Sequence, residues 1–391
     1  MESLKIVIFD GSFKTTAFIR RLLRGLSKAG HQVYVLGFNE LNSDPVDGVN
    51  YIPLGDNLNK LRFAKTSLKW GVKSGTFLKS LSYLIQGKKK KLKQLNLHAA
   101  LQHINPDIIH VQWISNISIF EKLLRQDLYK FVLSQRGYQT NVRPFVDDKD
   151  FEYQSRWLPL FKGFHSVSKA MSDRGDQIFS KEGKINQVVY TGLNLNEVSY
   201  SSKVQKSSRL DIISIGRPHW KKGYSIAIRA LHEIKKKGIE FNYDIVGAEG
   251  DQEILFLIQE LGLKNEIHFL PKLDQTEVFD KIQNASLFLL PSLEEGIANV
   301  AVEAMALGTP VISTDCGGME ELIESGKEGW IVPIYSIDAM TEAVYAFAKA
   351  TPDKIAQITR SARSKVERQH NEEKMVNDMN LLYQKVHYGV N

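Results

Sequence analysis

The chain has 391 residues, 43% hydrophobic and 24% charged, which are ordinary proportions for a folded protein, and no low-complexity or disordered stretch. That length exceeds what one hydrophobic core usually organises, and the lone Cys316 excludes an intrachain disulfide and argues against a cysteine-built zinc site. No run approaches 18 apolar residues and no leader-like apolar region opens the chain, so a cytoplasmic protein is expected, while a net charge of +7 asks for anionic partners without choosing among nucleic acid, lipid headgroups and phosphorylated small molecules.

Short apolar runs alternate with amphipathic stretches, the pattern of βα units feeding a mostly parallel sheet. In the N-terminal half the runs at 5–9, 32–37, 108–111, 131–134 and 164–167 predict strands. Between the first two, Ala17, Phe18, Leu22, Leu23 and Leu26 fall at helical spacing, with Gly30 as the expected cap. Residues 60–98 carry eleven Lys or Arg and no Asp or Glu, interleaved with Leu61, Phe63, Leu68, Trp70, Phe77, Leu81, Tyr83, Leu84 and Ile85. Such a segment suits an anionic membrane interface or a solvated basic face. Nucleic acid is disfavoured because no recognised module accompanies the charge.

Serines interrupt the apolar runs over 194–209, predicting an exposed connector and a domain boundary near 205. A second α/β unit follows, with strands at 210–215, 241–246, 267–269, 287–290, 311–313 and 330–332. Its helices are expected near 224–236, 252–261, 276–283, 300–307 and 319–324. The final stretch, 372–388, reads as an amphipathic helix with Met375, Met379, Leu382, Tyr383 and Val386 along one face. No fixed-period repeat is present.

The most informative segment is 289–312. An apolar strand ends at Pro291-Ser292, an acidic glycine loop follows, and a helix begins near Asn299, a good N-cap, and stops at Gly308. Its free N–H groups and dipole make a seat for a phosphate, and Gly296 permits close approach of a ligand. Glu295 on the loop and Glu303 one turn into the helix bracket one extended ligand. Carboxylates accept from hydroxyls and repel phosphate, so sugar and ribose ends with phosphate between them fit this spacing.

Here the sequence resembles the retaining family-four glycosyltransferases of the GT-B fold. The resemblance rests on the E-x7-E element Glu295 to Glu303, the Pro-Ser-x-x-Glu-Gly entry and the Glu-Ala-Met-Ala-x-Gly-Thr-Pro-Val that follows. It implies donor contacts from Glu295, Gly296, Ile297, Ala298, Asn299, Val300 and Glu303. Upstream, Gly216-Arg217-Pro218-His219-Trp220-Lys221-Lys222-Gly223 looks like the family's Gly-Arg…Lys-Gly loop, implying that Gly216, Arg217 and Lys222, with Lys221 as alternative, hold the donor diphosphate. A guanidinium fork and an ammonium suit charge that grows on a leaving phosphate. The resemblance makes Arg217, Lys222 and Glu295 the catalytic set, and seats the nucleobase near Lys272 and Leu273. Cys316-Gly317-Gly318-Met319-Glu320-Glu321 matches a turn that shapes the wall of the site.

The N-terminal half follows the family less closely. Asp10-Gly11-Ser12-Phe13-Lys14 stands where the family usually carries paired glycines, and implies Gly11 and Ser12 as donor contacts. The strand 106–112 carries His110, with Gln112 where a second His is common, and Gln135-Arg136-Gly137 carries Arg136 where a His often precedes the Gly. His110, Gln135 and Arg136 are the acceptor-side candidates, Arg136 as a permanent cation rather than a base. Asp148-Lys149-Asp150 is a DxD string, but it closes no apolar strand and no metal site is assigned to it.

The resemblance implies two facing Rossmann-like domains, 1–204 for the acceptor and 205–371 for the donor, with a cleft between them and 372–391 packing back on the first. It implies a hexosyltransferase that moves sugar from a UDP- or GDP-sugar to a glycan or lipid-linked acceptor, with retention and without metal or cofactor, in bacterial surface polysaccharide synthesis. The enzyme would be cytoplasmic or peripheral on the inner face of the membrane. The alternatives are a non-catalytic sugar-nucleotide-binding subunit, separable by donor-dependent release of UDP or GDP, and a sugar-nucleotide epimerase of similar fold.

Overall fold

The computed structural model describes residues 2–13, 15–38, 44–201, 209–250 and 252–389. Two compact units make up the chain: Met1–Val167, Met171–Gly192 and Glu372–Asn391 form one, Ser168–Ala170 and Leu193–Asn371 the other. The division falls at Gly192/Leu193. There the Leu193 N–H donates to the His370 carbonyl at 2.7 Å, and Leu193 and Val198 enter the core of the second unit. Residues 202–208, around the boundary that the sequence places near 205, lie outside the described residues.

In the first unit seven strands form one parallel sheet: β1 (Lys5–Gly11), β2 (Gln32–Gly37), β3 (Val49–Pro53), β4 (Ile108–Val111), β5 (Phe131–Gln135), β6 (Gly163–Ser166) and β7 (Asn186–Val188), in the order β3-β2-β1-β4-β5-β6-β7. The central strands are apolar runs because helices cover both faces of a parallel sheet. Ile6 sits in register with Val33 on one side and Ile108 on the other. The sequence reading misses β3 and β7, the two edges. Both are short and without a fully buried residue, and β3 ends on Pro53, whose missing N–H is tolerated at an edge.

The helix Glu372–Tyr388 belongs to this unit and buries Met375, Met379, Leu382, Tyr383 and Val386, the face its periodicity marks. It packs on the helix Ala17–Lys28, and Gly25 makes the approach possible: a Cβ there would lie 2.1 Å from Val376 Cγ2. His31 Nε2 lies 3.1 Å from Asn380 Oδ1 and adds a buried polar tie. Each fully buried Leu or Met on this face contributes about 1.5–3 kcal/mol.

Six parallel strands form the sheet of the second unit: β8 (Arg209–Ile215), β9 (Glu240–Val246), β10 (Ile267–Leu270), β11 (Leu287–Leu290), β12 (Val311–Thr314) and β13 (Trp330–Val332), ordered β10-β9-β8-β11-β12-β13. In each sheet the chain order reverses beside one strand, β1 against β4 and β8 against β11. Crevices outside the carboxyl ends of the strands are expected at such points. Two helices differ from expectation. Met319–Leu322 stops two residues early, and Asn299–Leu307 is preceded by Ala298 as N-cap, so Asn299 is the first helical residue and its side chain caps nothing.

Candidate nucleotide-sugar site

The site of the second unit is assembled where β8, β11 and β12 end. After β8, Gly216 leaves room for two side chains: a Cβ would meet Lys222 Cε at 2.8 Å and the Tyr224 hydroxyl at 3.0 Å. The Tyr224 hydroxyl instead donates to the Gly216 carbonyl at 3.0 Å. The chain then makes the short turn Trp220–Lys222, and Gly223 adopts φ +64°. A side chain at 223 would place Cβ 1.9 Å from the Pro291 carbonyl oxygen, so only glycine lets this loop lie against the one after β11. A hydrogen bond of 2.6 Å from the Leu293 N–H to the Lys221 carbonyl joins the two loops.

That junction pairs consecutive lysines with consecutive glutamates. Lys221 Nζ lies 3.3 Å from Glu294 Oε2, and Lys222 Nζ lies 2.6 Å from Glu295 Oε1. Ser292 Oγ donates to the same Glu295 oxygen at 3.1 Å. The Gly317-Gly318 turn after β12 braces the acidic loop from behind. Gly317 has φ +57° and would place a Cβ 1.7 Å from the Glu295 carbonyl oxygen, while the Gly318 N–H donates to the Gly296 carbonyl at 2.8 Å. Below lies Cys316, whose thiol burial pushes up to about 12, the charges of Glu295 and Glu294 adding to the effect. It is a packing residue at neutral pH.

The acidic loop runs directly into the helix Asn299–Leu307, which begins without a side-chain cap or an acidic residue in its first turn. Its start therefore keeps the positive end of the dipole and the N–H groups that accept an anion. Glu303, one turn in, is buried at 9% exposure. Arg217 is exposed and shares its surroundings with the two lysines: His219 titrates below the ordinary imidazole range through partial desolvation, then through the positive charge of Lys221, Arg217 and Lys222. Beside this loop Trp220, Tyr224, Phe269 and Leu293 line a cavity of ≈ 260 Å³. Lys272 is exposed and Leu273 half-buried, just past β10.

The structure thus brings together Gly216, Lys222, Glu295 and Gly296, with Arg217 close by and Ala298, Asn299, Val300 and Glu303 on the following helix turn. Sequence reading misses Glu294 and Ser292, which fix the lysine and glutamate heads, and gives no role to Gly223, whose neighbours in Lys-Lys-Gly were its signal.

In the first unit the acceptor-side candidates divide. His110 is wholly buried, its ring nitrogens 2.7 Å from the Tyr383 hydroxyl and 2.8 Å from Ser134 Oγ, and burial with the neighbouring His165 and Arg136 charges keeps it neutral. It holds β4 to the C-terminal helix and reaches no surface. Gln135 is also fully buried, its carbonyl accepting from Ser166 Oγ at 3.0 Å, and packs beneath Gly175. Arg136 donates to Gln112 Oε1 at 2.8 Å and stacks over the Phe18 ring at 4.1 Å. Its Nε has no partner among the described residues. Near it Asp10 accepts from Trp113 Nε1, and burial raises its carboxyl to about 6 against the opposing pull of that bond and of Arg136.

Gly11 takes φ +86° at the end of β1, beside Ser12. Asp148 and Asp150 open the helix Asp148–Trp157, with Asp150 held by Arg143 at 3.3 Å and Gln154 at 2.6 Å. Among the described residues no group of three or more His, Cys, Asp or Glu stands together as a metal site, and no helix is long and apolar enough to cross a membrane. The basic segment folds as the helices Lys60–Lys73, Phe77–Ile85 and Lys89–Ile104. Phe63 and Trp70 are buried rather than interfacial, because Phe63 fills the space beside Gly55 and Trp70 Nε1 donates to the Pro53 carbonyl. Leu61, Leu78 and Ile85 are 84%, 80% and 78% exposed among the lysines.

Residues 199–365 match the family model described as Glycosyl transferases group 1. WcaL of Escherichia coli strain K12, a protein named for colanic acid biosynthesis, is 32% identical over 200 residues, 49% of each chain. The amylovoran biosynthesis glycosyltransferase AmsK of Erwinia amylovora is 32% identical over 170 residues, 42% of each. The chain spans about half the length of the curated relatives it matches. Among solved structures, sucrose-phosphate synthase of Thermosynechococcus elongatus superposes with a TM-score of 0.78 at 18% identity, over 98% of this chain and 99% of the other. Anabaena HepE in complex with UDP and glucose gives 0.72 at 18% identity, over 98% and 100%. Sheet order, loop chemistry and these likenesses agree: the chain has the GT-B fold, and its residues 199–365 match the model of the glycosyl transferases group 1.

Proposed function

We propose that the protein is a hexosyltransferase that moves a sugar from a nucleoside-diphosphate sugar to a glycan or lipid-linked acceptor, with retention of configuration, in the synthesis of a surface polysaccharide. The observation that carries this reading is the pairing of a cationic loop with an acidic one at the uncapped start of the helix Asn299–Leu307. Positive groups and N–H donors there suit a diphosphate, and the flanking carboxylates of Glu295 and Glu303 suit hydroxyl-rich groups on either side. The names of WcaL and AmsK support polysaccharide synthesis, and the HepE complex supports a UDP-sugar donor.

In this reaction the acceptor hydroxyl attacks the anomeric carbon on the face that the nucleotide leaves. The carbon–oxygen bond to the diphosphate breaks, the departing phosphate oxygen takes the hydroxyl proton, and no protein nucleophile is used. Arg217, Lys222 and the helix start oppose the charge that grows on the leaving oxygen. Glu295, freed from part of its contact with Lys222, accepts from sugar hydroxyls, Glu303 accepts from the ribose, and the backbone near Lys272 and Leu273 borders the base. With these cations supplying the charge, a metal ion has no assigned place. The exposed Leu61, Leu78 and Ile85 among lysines support a peripheral site of action on an anionic membrane.

The test is a screen of UDP-, GDP- and ADP-sugars for thermal stabilisation, followed by acceptor-dependent release of nucleotide. A bound donor at a hundred times its Kd stabilises by about 2.7 kcal/mol. If no sugar nucleotide raises the melting temperature, the donor site is misassigned. Binding without nucleotide release, with any acceptor extract, leaves a binding subunit, and an inverted anomeric configuration in the product overturns retention.

A further inference from the structure

We infer that a cavity in the first unit, at the carboxyl ends of β1 and β4, binds a phosphate or diphosphate group, which on the transferase reading above belongs to the acceptor. The cavity measures ≈ 580 Å³, within the range of small-molecule sites. Lys89, Lys90 and Lys93 from one helix line it together with Gly11 at the end of β1 and with Ser115, Asn116 and Ser118 from the segment after β4. Among the described residues no carboxylate lines it, and none forms an ion pair with Lys89, Lys90 or Lys93.

Four features make this a built site rather than a stretch of basic surface. Lys93 is half-buried and held over the Phe38 ring at 4.8 Å, and Lys89 over the Phe63 ring at 5.4 Å, so the two heads are positioned. Asn116 Nδ2 is buried without a hydrogen-bond partner. Its side chain lies against Gly11, where a Cβ would come 3.3 Å from Asn116 Oδ1 and narrow the cavity. Lastly, the lysine run is sorted by the helix: Lys91 lines a separate cavity of ≈ 240 Å³ with Lys79, His98 and Lys122.

Three like charges at 89, 90 and 93 on the first two turns of the helix Lys89–Ile104 repel one another and the positive end of the dipole, with no acidic residue in the opening turn. Burial and the charge of Lys89 together lower the affinity of Lys93 for its proton. A neutral sugar would relieve none of this and a single carboxylate only part. A phosphate dianion or a diphosphate offsets two or three charges and accepts from the lysines, the two hydroxyls and the orphaned amide.

The phosphate could be carried by a soluble sugar phosphate or by a lipid at a membrane surface. Isothermal titration of the full chain with inorganic pyrophosphate, in saturating UDP to keep the donor site filled, tests the shared chemistry. Lys93→Gln should weaken pyrophosphate at least tenfold and Lys89→Gln/Lys93→Gln further, while Lys91→Gln stays within twofold of wild type and UDP affinity is unchanged throughout. Equal losses in Lys91→Gln and Lys93→Gln would show a diffuse basic face and overturn the site. So would an absence of pyrophosphate binding, or a matching loss of UDP affinity in Lys93→Gln. Pyrophosphate that displaces wild-type protein from phosphatidylglycerol vesicles identifies a lipid phosphate as the source; undisturbed vesicle binding identifies a soluble one. Pyrophosphate binding in a protein that ignores UDP would sink the donor reading and leave the pocket standing.

Discussion

Lys222 and Glu295 meet at 2.6 Å with side chains only 16% and 14% exposed, across two loops that leave different strands. The group suited to phosphate and the group suited to sugar hydroxyls hold each other in place before any ligand arrives. Replacing Lys222 takes the cation from a mostly buried Glu295, which keeps its bond from Ser292 Oγ, and replacing Glu295 takes the carboxylate from a mostly buried Lys222. A double-mutant cycle on Lys222→Met and Glu295→Gln, followed by urea denaturation, should give a coupling of about 0.5–3 kcal/mol. Additive effects would mean the pair contributes nothing to the fold. In catalysis, Lys222→Ala and Arg217→Ala should depress kcat more than donor affinity, since their charge opposes charge that grows toward the transition state. Normal turnover in both would remove them from the diphosphate.

Glu303 is buried on the first turns of its helix, where a carboxylate accepting ribose hydroxyls contributes on the order of 1.5–3 kcal/mol. Glu303→Ala should therefore raise the donor Kd by about ten- to a hundredfold in isothermal titration, with Glu303→Gln recovering part of it. An unchanged Kd in the alanine variant would move the ribose elsewhere.

Asp10 gives the first unit a pH dependence. Its carboxyl is raised from 3.8 to about 6, chiefly by burial, so the fold disfavours the charged form. A raised carboxyl contributes stability that is complete below pH 4 and is lost as pH climbs through 6. Between pH 4 and pH 7 this single group should cost on the order of 3 kcal/mol. Asp10→Asn keeps an acceptor for Trp113 and removes the titration, so the difference between wild-type and variant stability in urea should change over that interval. A difference that is flat with pH would show that Asp10 stays ionised throughout.

Leu78 and Ile85 are large, apolar and exposed on one short helix between lysine-rich neighbours. If this face docks on lipid, Leu78→Ser/Ile85→Ser should reduce co-sedimentation with anionic vesicles severalfold and leave pyrophosphate and UDP binding unchanged, because neither residue lines a described cavity. Binding by wild type should also weaken with salt, as screening shortens the reach of the lysines. Equal sedimentation with neutral vesicles would assign the face to another surface.

The central strands, the long helix 372–388 and the Glu295–Glu303 element were legible because each depends on neighbours in sequence. An apolar run buried on both faces reads as a parallel strand whatever it pairs with, a stripe of Met375, Met379, Leu382 and Val386 marks its own buried side, and a strand, a glycine loop and a helix in succession place two carboxylates near one helix start. The edge strands β3 and β7 escaped because an edge is half solvated, so neither needs the continuous apolar run that marks a central strand. Phe63 and Trp70 stand among residues that in sequence suit a membrane interface or a solvated basic face, and the fold buries them, because spacing marks a face without saying what covers it.

What only the tertiary structure decided are the pairings between groups far apart in the chain. Lys222 and Glu295 are 73 positions apart and meet because β8 and β11 are neighbours in the sheet and Gly223 lets their loops touch. His110 became a buried strut because Tyr383 returns to it from the far end of the chain. Lys93 and Lys91, two residues apart in one basic run, face different cavities because a helix turns 100° per residue and separates what composition lumps together.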